Sequence, residues 1–389
     1  MVKGKEVPLD TPNPTDKKEL PLEKLSLREI LAYALENGAS DIHLKVSRPP
    51  AIRIEGVLRF TEIRELAESD MMRFLDEIMS PLQKQYFLET GDADFAASVP
   101  ALGRFRVNCY RQRGTTAMVF RYVKSDIWDF RTLNLPERAM ERIASLDRGL
   151  VLVTGTTSSG KSTTLAALID RINATRQSHI LTLEDPIEYL HADKKCSVSQ
   201  REVSIDTKDF KTGLRAIMRE DPNVILIGEL RDVETFQACL GAAETGHLVF
   251  STLHTTNVMM TIDRILDMFP PDQHAQVRSQ LALQLRAIVA QRLLPAANGK
   301  GRVPAVEVMF NDPGIAPLIR DGEIERIPNV ITDGEEDGMQ TFNMALVSLV
   351  KKKIVTQNAA EGASDNPEAL KMNLQGIFGS RDRGGISRK

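Results

Sequence analysis

The sequence predicts an α/β protein in two folded parts, a smaller α+β domain followed by a larger domain built on a parallel sheet. Three observations carry this. The chain has 389 residues, more than one core usually covers. From Leu150 onward, short apolar strands alternate with helical segments, the order that gives a parallel sheet covered on both faces. Before that point the apolar residues recur with strand and helix periods in mixed order.

Residues 1–22 carry Pro8, Pro12, Pro14 and Pro21 among charged residues and read as a disordered tail. The first domain is expected over 23–125. Leu25, Ile30, Leu31 and Leu35 share a helical face, and Asn37-Gly38 ends that helix. Asp41-Ile-His-Leu-Lys-Val and Ala51-Ile-Arg-Ile-Glu-Gly alternate as strands. Met71, Met72, Phe74, Leu75, Ile78 and Met79 form an apolar helical stripe, read as core packing in preference to a partner surface. The segments 104–110 and 117–123 read as a hairpin turning at Arg113-Gly114. Residues 126–136, with the single tryptophan Trp128, read as a linker.

The second domain is expected over 137–345, with strands at 150–154, 180–183, 224–227 and 248–251. C-terminal helices and a second disordered tail follow over 346–389. Composition is that of an ordinary soluble globular chain, with 42% hydrophobic and 26% charged residues. Net charge is −3, from 50 basic and 53 acidic residues, which speaks against a dominant nucleic-acid surface. The three cysteines, Cys109, Cys196 and Cys239, are far apart, without the paired spacing of a zinc site or a disulfide framework. No apolar run approaches the ~18 residues of a membrane span, and the start lacks a signal-peptide pattern. A cytoplasmic protein is expected, meeting a membrane only through a partner.

The chemistry concentrates at strand ends. Gly155-Thr156-Thr157-Ser158-Ser159-Gly160-Lys161-Ser162 matches G-x-x-x-x-G-K-[ST] at every fixed position. An apolar strand precedes it, and a helix opening through Thr163 follows. Such a loop wraps phosphates with backbone N–H groups, aided by the helix N-terminus. Lys161 is the expected partner of the β- and γ-phosphates of ATP, and Ser162 the Mg²⁺ ligand. A second strand runs into Glu184-Asp185-Pro186-Ile187-Glu188. A third runs into Gly228-Glu229-Leu230-Arg231-Asp232. Carboxylates at the mouth of a parallel sheet suit a metal or an attacking water. Glu229 follows a glycine and replaces the usual aspartate, so it reads as a water-activating base. Glu184, Asp185 and Glu188 are further candidates, with helix capping or a solvated loop as the bland alternative. His247 and His254 flank a fourth strand. Each reads as a γ-phosphate sensor or as a buried structural histidine.

Taken together these boxes resemble the secretion and type IV pilus motor ATPases, specifically the PilT/PilU retraction branch. The resemblance covers roughly residues 25–355. It rests on the phosphate loop, Thr182–Tyr189, Ile225–Asp232, Thr245–His254 and the earlier Gly38-Ala-Ser-Asp-Ile-His43. It implies a RecA-like P-loop NTPase domain, a PAS-like N-terminal domain and a hexameric ring that hydrolyses ATP with Mg²⁺. Arginines that reach the γ-phosphate match Arg106, Arg121 and Arg264 here. The implied partners are other copies of the chain, an inner-membrane pilus platform protein and a paralogous retraction ATPase. The chain has no four-cysteine insertion, a feature of extension and secretion members. Its Gly314-Ile-Ala-Pro-Leu-Ile-Arg320-Asp321 departs from the PilT helix pattern at Ala316 and Pro317, which leaves an accessory, PilU-like role open. A nucleic-acid motor and a non-catalytic ring member are the other readings.

Overall fold

The computed structural model describes residues 26–377 apart from Glu55 and Lys124. Both expected tails lie outside these residues. The chain is α/β and divides into two compact units, the first ending at Val123.

The first unit begins with α1 (Leu27–Glu36), whose Ser26 and Glu29 form a reciprocal capping box and whose C-cap is Asn37. Strands β1 (Asp41–Lys45), β2 (Ala51–Ile54) and β3 (Val57–Phe60) follow, then helices α2 (Glu68–Ile78) and α3 (Pro81–Thr90). Strands β4 (Asp92–Val99), β5 (Gly103–Gln112) and β6 (Thr115–Val123) complete one sheet in the order β3-β2-β1-β6-β5-β4. Each neighbouring pair of strands in it is antiparallel. The β5–β6 hairpin turns at Arg113 and Gly114, both at positive φ, as a tight two-residue turn requires. One face of the sheet is buried: Ile42, Leu44, Phe95, Phe105, Val107, Met118 and Phe120 pack against α1 and α2. Met71, Phe74 and Leu75 of α2 are fully buried there, so the methionine stripe is core.

The second unit opens with an irregular stretch that is not a free linker. Phe130 and Leu135 are buried in the same core as the main sheet, while Trp128 is exposed. Then come α4 (Glu137–Ala144), β7 (Gly149–Thr154), α5 (Lys161–Thr175), β8 (His179–Glu184), β9 (Ser197–Glu202), α6 (Phe210–Ile217), β10 (Val224–Ile227), α7 (Val233–Glu244), β11 (Leu248–Leu253), α8 (Val258–Asp267) and α9 (His274–Gln284). The strand pair β12 (Leu285–Pro295) and β13 (Arg302–Phe310) precedes α10 (Ile315–Asp321), α11 (Ile327–Asp333), α12 (Phe342–Lys351), α13 (Gln357–Ala363) and α14 (Pro367–Leu374).

The sheet has seven strands in the order β13-β12-β7-β11-β10-β8-β9. All neighbours are parallel except β12–β13, so the sheet is mixed and not purely parallel. β12, β13 and β9 are additions to the strands read from the sequence. The central strands are mostly apolar because both faces are covered, with Thr182, Ser251 and Thr252 buried among them.

The C-terminal helices pack on the β12–β13 edge through Ala290, Leu294, Ala305, Phe342, Leu346 and Leu370. The expected boundary at 345 falls inside α12, which starts after its N-cap Thr341. Pro317 sits in the first turn of α10, where a missing N–H costs nothing because those groups have no intrahelical acceptor.

Candidate active site

The phosphate loop leaves β7 and runs straight into α5. Gly155, Ser158 and Gly160 have φ of 149°, 62° and 93°. A Cβ at Gly155 would lie 2.5 Å from the Gln291 carbonyl, and one at Gly160 would lie 2.6 Å from Gln291 Nε2. Both glycines are therefore demanded by close approach of β12 as well as by backbone conformation. Thr156, Thr157 and Ser158 are exposed at the tip, and Ser159 is buried. Lys161 is 8% exposed. Its Nζ donates to Gly155 O at 2.9 Å and Thr156 O at 3.1 Å. Burial lowers its pKa, and the Glu188 carboxylate opposes that shift. Ser162 is half-buried on the first turn of α5. Thr163 Oγ1 lies 2.8 Å from Tyr189 OH, tying this helix to the first acidic segment.

β8 delivers that segment. Glu184 Oε1 accepts from Thr182 Oγ1 at 2.7 Å and Gln200 Nε2 at 3.2 Å. Burial nevertheless pushes its pKa up to about 7. Gln200 also donates to Tyr189 O at 2.9 Å. Glu184 is thus held inside a network, whereas Asp185 and Glu188 are exposed.

β10 delivers Glu229, and β11 delivers His254. Glu229 pairs with Arg231, and its Oε2 lies 3.2 Å from His254 Nε2. Arg231 Nη1 also donates to Asp185 Oδ2 at 3.3 Å. One guanidinium therefore bridges the two acidic segments. Burial, Lys161 and Arg231 lower the His254 pKa, which keeps the ring neutral near pH 7. It can then hydrogen-bond a carboxylate or a phosphate without adding charge.

His247 is not part of this cluster. The β7–β11 register pairs Leu248 with Gly149 and Leu253 with Thr154, so His247 precedes β11 at the opposite end of the sheet from the loop. That is about 20 Å away at ~3.3 Å per residue. Its Nδ1 instead lies 2.9 Å from Ala242 O in the last turn of α7. It sits at a helix end on the far side of the sheet from the phosphate loop of its own chain, the placement of the structural histidine among its two readings. Arg264 lies exposed in the last turn of α8 and is not joined to the cluster. Arg106 and Arg121 are cross-strand partners in the first unit, on the sheet face opposite its core. Arg121 Nε donates to Asp41 Oδ1 at 2.8 Å.

Two further residues belong to the site. Arg231 is legible only as part of its motif. Gln291 is a 2% exposed glutamine in the largely apolar strand β12, and its signal is a buried amide directly after the apolar run Ala287–Ala290.

A phosphate loop after the inner strand β7, with two carboxylate stations and a histidine on other strands of the parallel sheet, defines a P-loop NTPase. The chain belongs to the type II/IV secretion system protein family, whose model matches residues 15–321. It is 44% identical to the type IV pilus retraction ATPase PilT of Pseudomonas aeruginosa over 88% of this chain and 99% of that one. It is 37% identical to the type IV pilus ATPase PilU of the same organism, over 90% and 92%. The crystal structure of the pilus retraction motor PilT with bound ADP superposes with a TM-score of 0.83 at 44% identity, covering 90% of this chain and 99% of that one. The Legionella pneumophila ATPase DotB superposes at 0.73 with 26% identity, covering 88% and 97%. The resemblance to the retraction branch holds in these matches.

Proposed function

We propose that the chain is an ATP-hydrolysing motor that powers type IV pilus retraction as a hexameric ring. The observation that carries this is the phosphate loop locked between β7 and β12, with Glu229 held between Arg231 and His254 at its mouth. The similarity to PilT over most of both chains supports the choice of motor. Residues Gly155–Thr163 cradle the nucleotide phosphates, and Lys161 leaves its loop carbonyls for the β- and γ-phosphates. No cluster of three or more His, Cys, Asp or Glu among the described residues could hold a metal ion. Mg²⁺ suits this site because it takes few protein ligands and completes its shell with phosphates and water. Ser162 is that ligand.

Glu229 is the base that orients and deprotonates the attacking water, and His254 fixes its carboxylate. Glu184, Asp185 and Glu188 shape the acidic wall beside it. Arg106 and Arg121 act on a neighbouring copy of the chain, whose γ-phosphate they reach as a fork of donors. Arg264 is a further arginine for such an interface. None of the described helices is long and apolar enough to cross a membrane. The ring works in the cytoplasm against an inner-membrane platform protein.

A second reading, an accessory ring beside a paralogous motor, is supported by the 37% identity to PilU. One experiment separates the two. The gene is deleted, surface pili are counted, and wild type or Lys161→Ala is returned. Excess pili that only wild type reverses support the motor. Rescue by Lys161→Ala supports the accessory role. Loss of pili on deletion refutes retraction altogether.

A further inference from the structure

β12 runs parallel to β7 with Ala290 opposite Thr154, so its next residue, Gln291, stands level with the start of the phosphate loop. Both ends of this buried amide are used. Oε1 accepts from Thr164 Oγ1 at 2.8 Å, and Nε2 donates to Ser159 O at 2.7 Å. Ser159 precedes Gly160, and Thr164 lies in the first turn of α5, so one side chain grips the loop on both sides of Lys161. The Gln291 backbone completes the grip, since its carbonyl forbids any side chain at Gly155. A buried amide bonded at both ends has one low-energy orientation. It therefore fixes the spacing between the loop's last carbonyl and the helix N-terminus that receives the phosphates.

We propose that Gln291 is a positioning residue that holds the phosphate loop in its nucleotide-ready curvature. This rests on the nucleotide-binding reading of the loop. Lys161 cannot supply the same restraint, because it is bound to Gly155 O and Thr156 O and must leave them for the substrate. Leucine at 291 keeps the volume and loses both bonds. Glutamate keeps the Thr164 bond and, when ionised, sets a carboxylate oxygen against Ser159 O with no proton between them.

The test uses the full-length protein with ADP and MgATP. Thermal melting and ADP affinity are measured together, and steady-state hydrolysis gives kcat and KM. Gln291→Leu is expected to weaken ADP binding and raise KM by about tenfold, as for two lost buried hydrogen bonds, with a smaller change in kcat. Thr164→Val should weaken binding less, and in the Gln291→Leu background it should add almost nothing, because the partner is already gone. Wild-type ADP affinity in Gln291→Leu, or full additivity of the pair, overturns the proposal. If Gln291→Leu fails to fold, Thr164→Val and Gln291→Glu decide. Wild-type affinity in both overturns it, and a weaker affinity at an unchanged melting temperature supports it. Failure of the wild type itself to bind ADP would instead overturn the nucleotide reading on which the proposal stands.

Discussion

The two ends of the seven-stranded sheet are built from similar residues and do different things. At the amino end, His179 Nδ1 lies 3.1 Å from Asp221 O and its Nε2 lies 3.0 Å from Ser199 Oγ, while His247 caps α7. Each ring there meets neutral partners and closes a loop. At the carboxyl end, Lys161, Glu229, Arg231, Asp185 and His254 face one another with opposite and shifted charges. Strand polarity explains the contrast. In a parallel sheet the loops that precede helices all emerge at the carboxyl end, where helix N-termini and open backbone gather. Residue type alone does not separate the two ends, whereas strand register does.

The contrast breaks most sharply at Glu229. Glu229→Gln keeps the shape and removes the base. Hydrolysis is expected to fall by about 100- to 10,000-fold, the usual worth of a general base, while nucleotide binding measured by fluorescence or calorimetry stays near wild type. A drop of only a few-fold would move the base elsewhere, with Glu184 and Glu188 the next carboxylates to test.

The histidines give the direct comparison. His254→Ala removes a hydrogen bond to a charged carboxylate, worth ~1.5–3 kcal/mol, and should lower kcat about tenfold or more. His247→Ala should leave kcat unchanged and cost ~1 kcal/mol of stability through the lost helix cap, read from urea unfolding. Equal effects of the two variants on kcat would erase the distinction between the ends.

The phosphate loop, the two acidic stations and the central strands are legible in the sequence because each needs an unusual local pattern. Lys161 must follow glycine, and Val224–Ile227 must be apolar on both faces. The β5–β6 hairpin is legible because inward Phe105 and Val107 alternate with outward polar residues. β9 is not legible, because Ser197–Glu202 lies at the sheet edge with few apolar residues to mark it. The β12–β13 pair escapes for another reason. Its apolar runs are as strong as those of the central strands and Asn298-Gly299 marks the turn between them, but it follows α9 directly, so its start is not set off from the helical pattern. Gln291 and the packing of α12–α14 go unread with it. The choice between His247 and His254 needed the register of β11, which composition does not contain.

The smallest expected effect on turnover lies just behind the working end. Glu307 of β13 is 8% exposed, and its Oε2 accepts from Val258 N at 2.8 Å, at the start of the helix that follows the His254 loop. Burial lifts its pKa from the ordinary 4.5 to about 7, with Asp365 adding to the rise and Arg292 opposing it. The folded state therefore holds a proton that the unfolded state releases between about pH 4.5 and 7. Its contribution to stability is full below that window and is lost as pH rises through it, at up to ~1.4 kcal/mol per pH unit. Glu307→Gln keeps an acceptor for Val258 and carries no charge. Relative to wild type, its unfolding free energy should climb across that window and level off above it. A difference that stays flat from pH 4.5 to 8 would show that Glu307 is ionised in the folded protein, with Arg292 close enough to hold it so. Because Arg292 also donates to Thr256 O and to Asp365, that outcome would tie the histidine loop to the C-terminal helices through a charge pair, and the carboxyl end of the sheet would extend further than the nucleotide cluster alone.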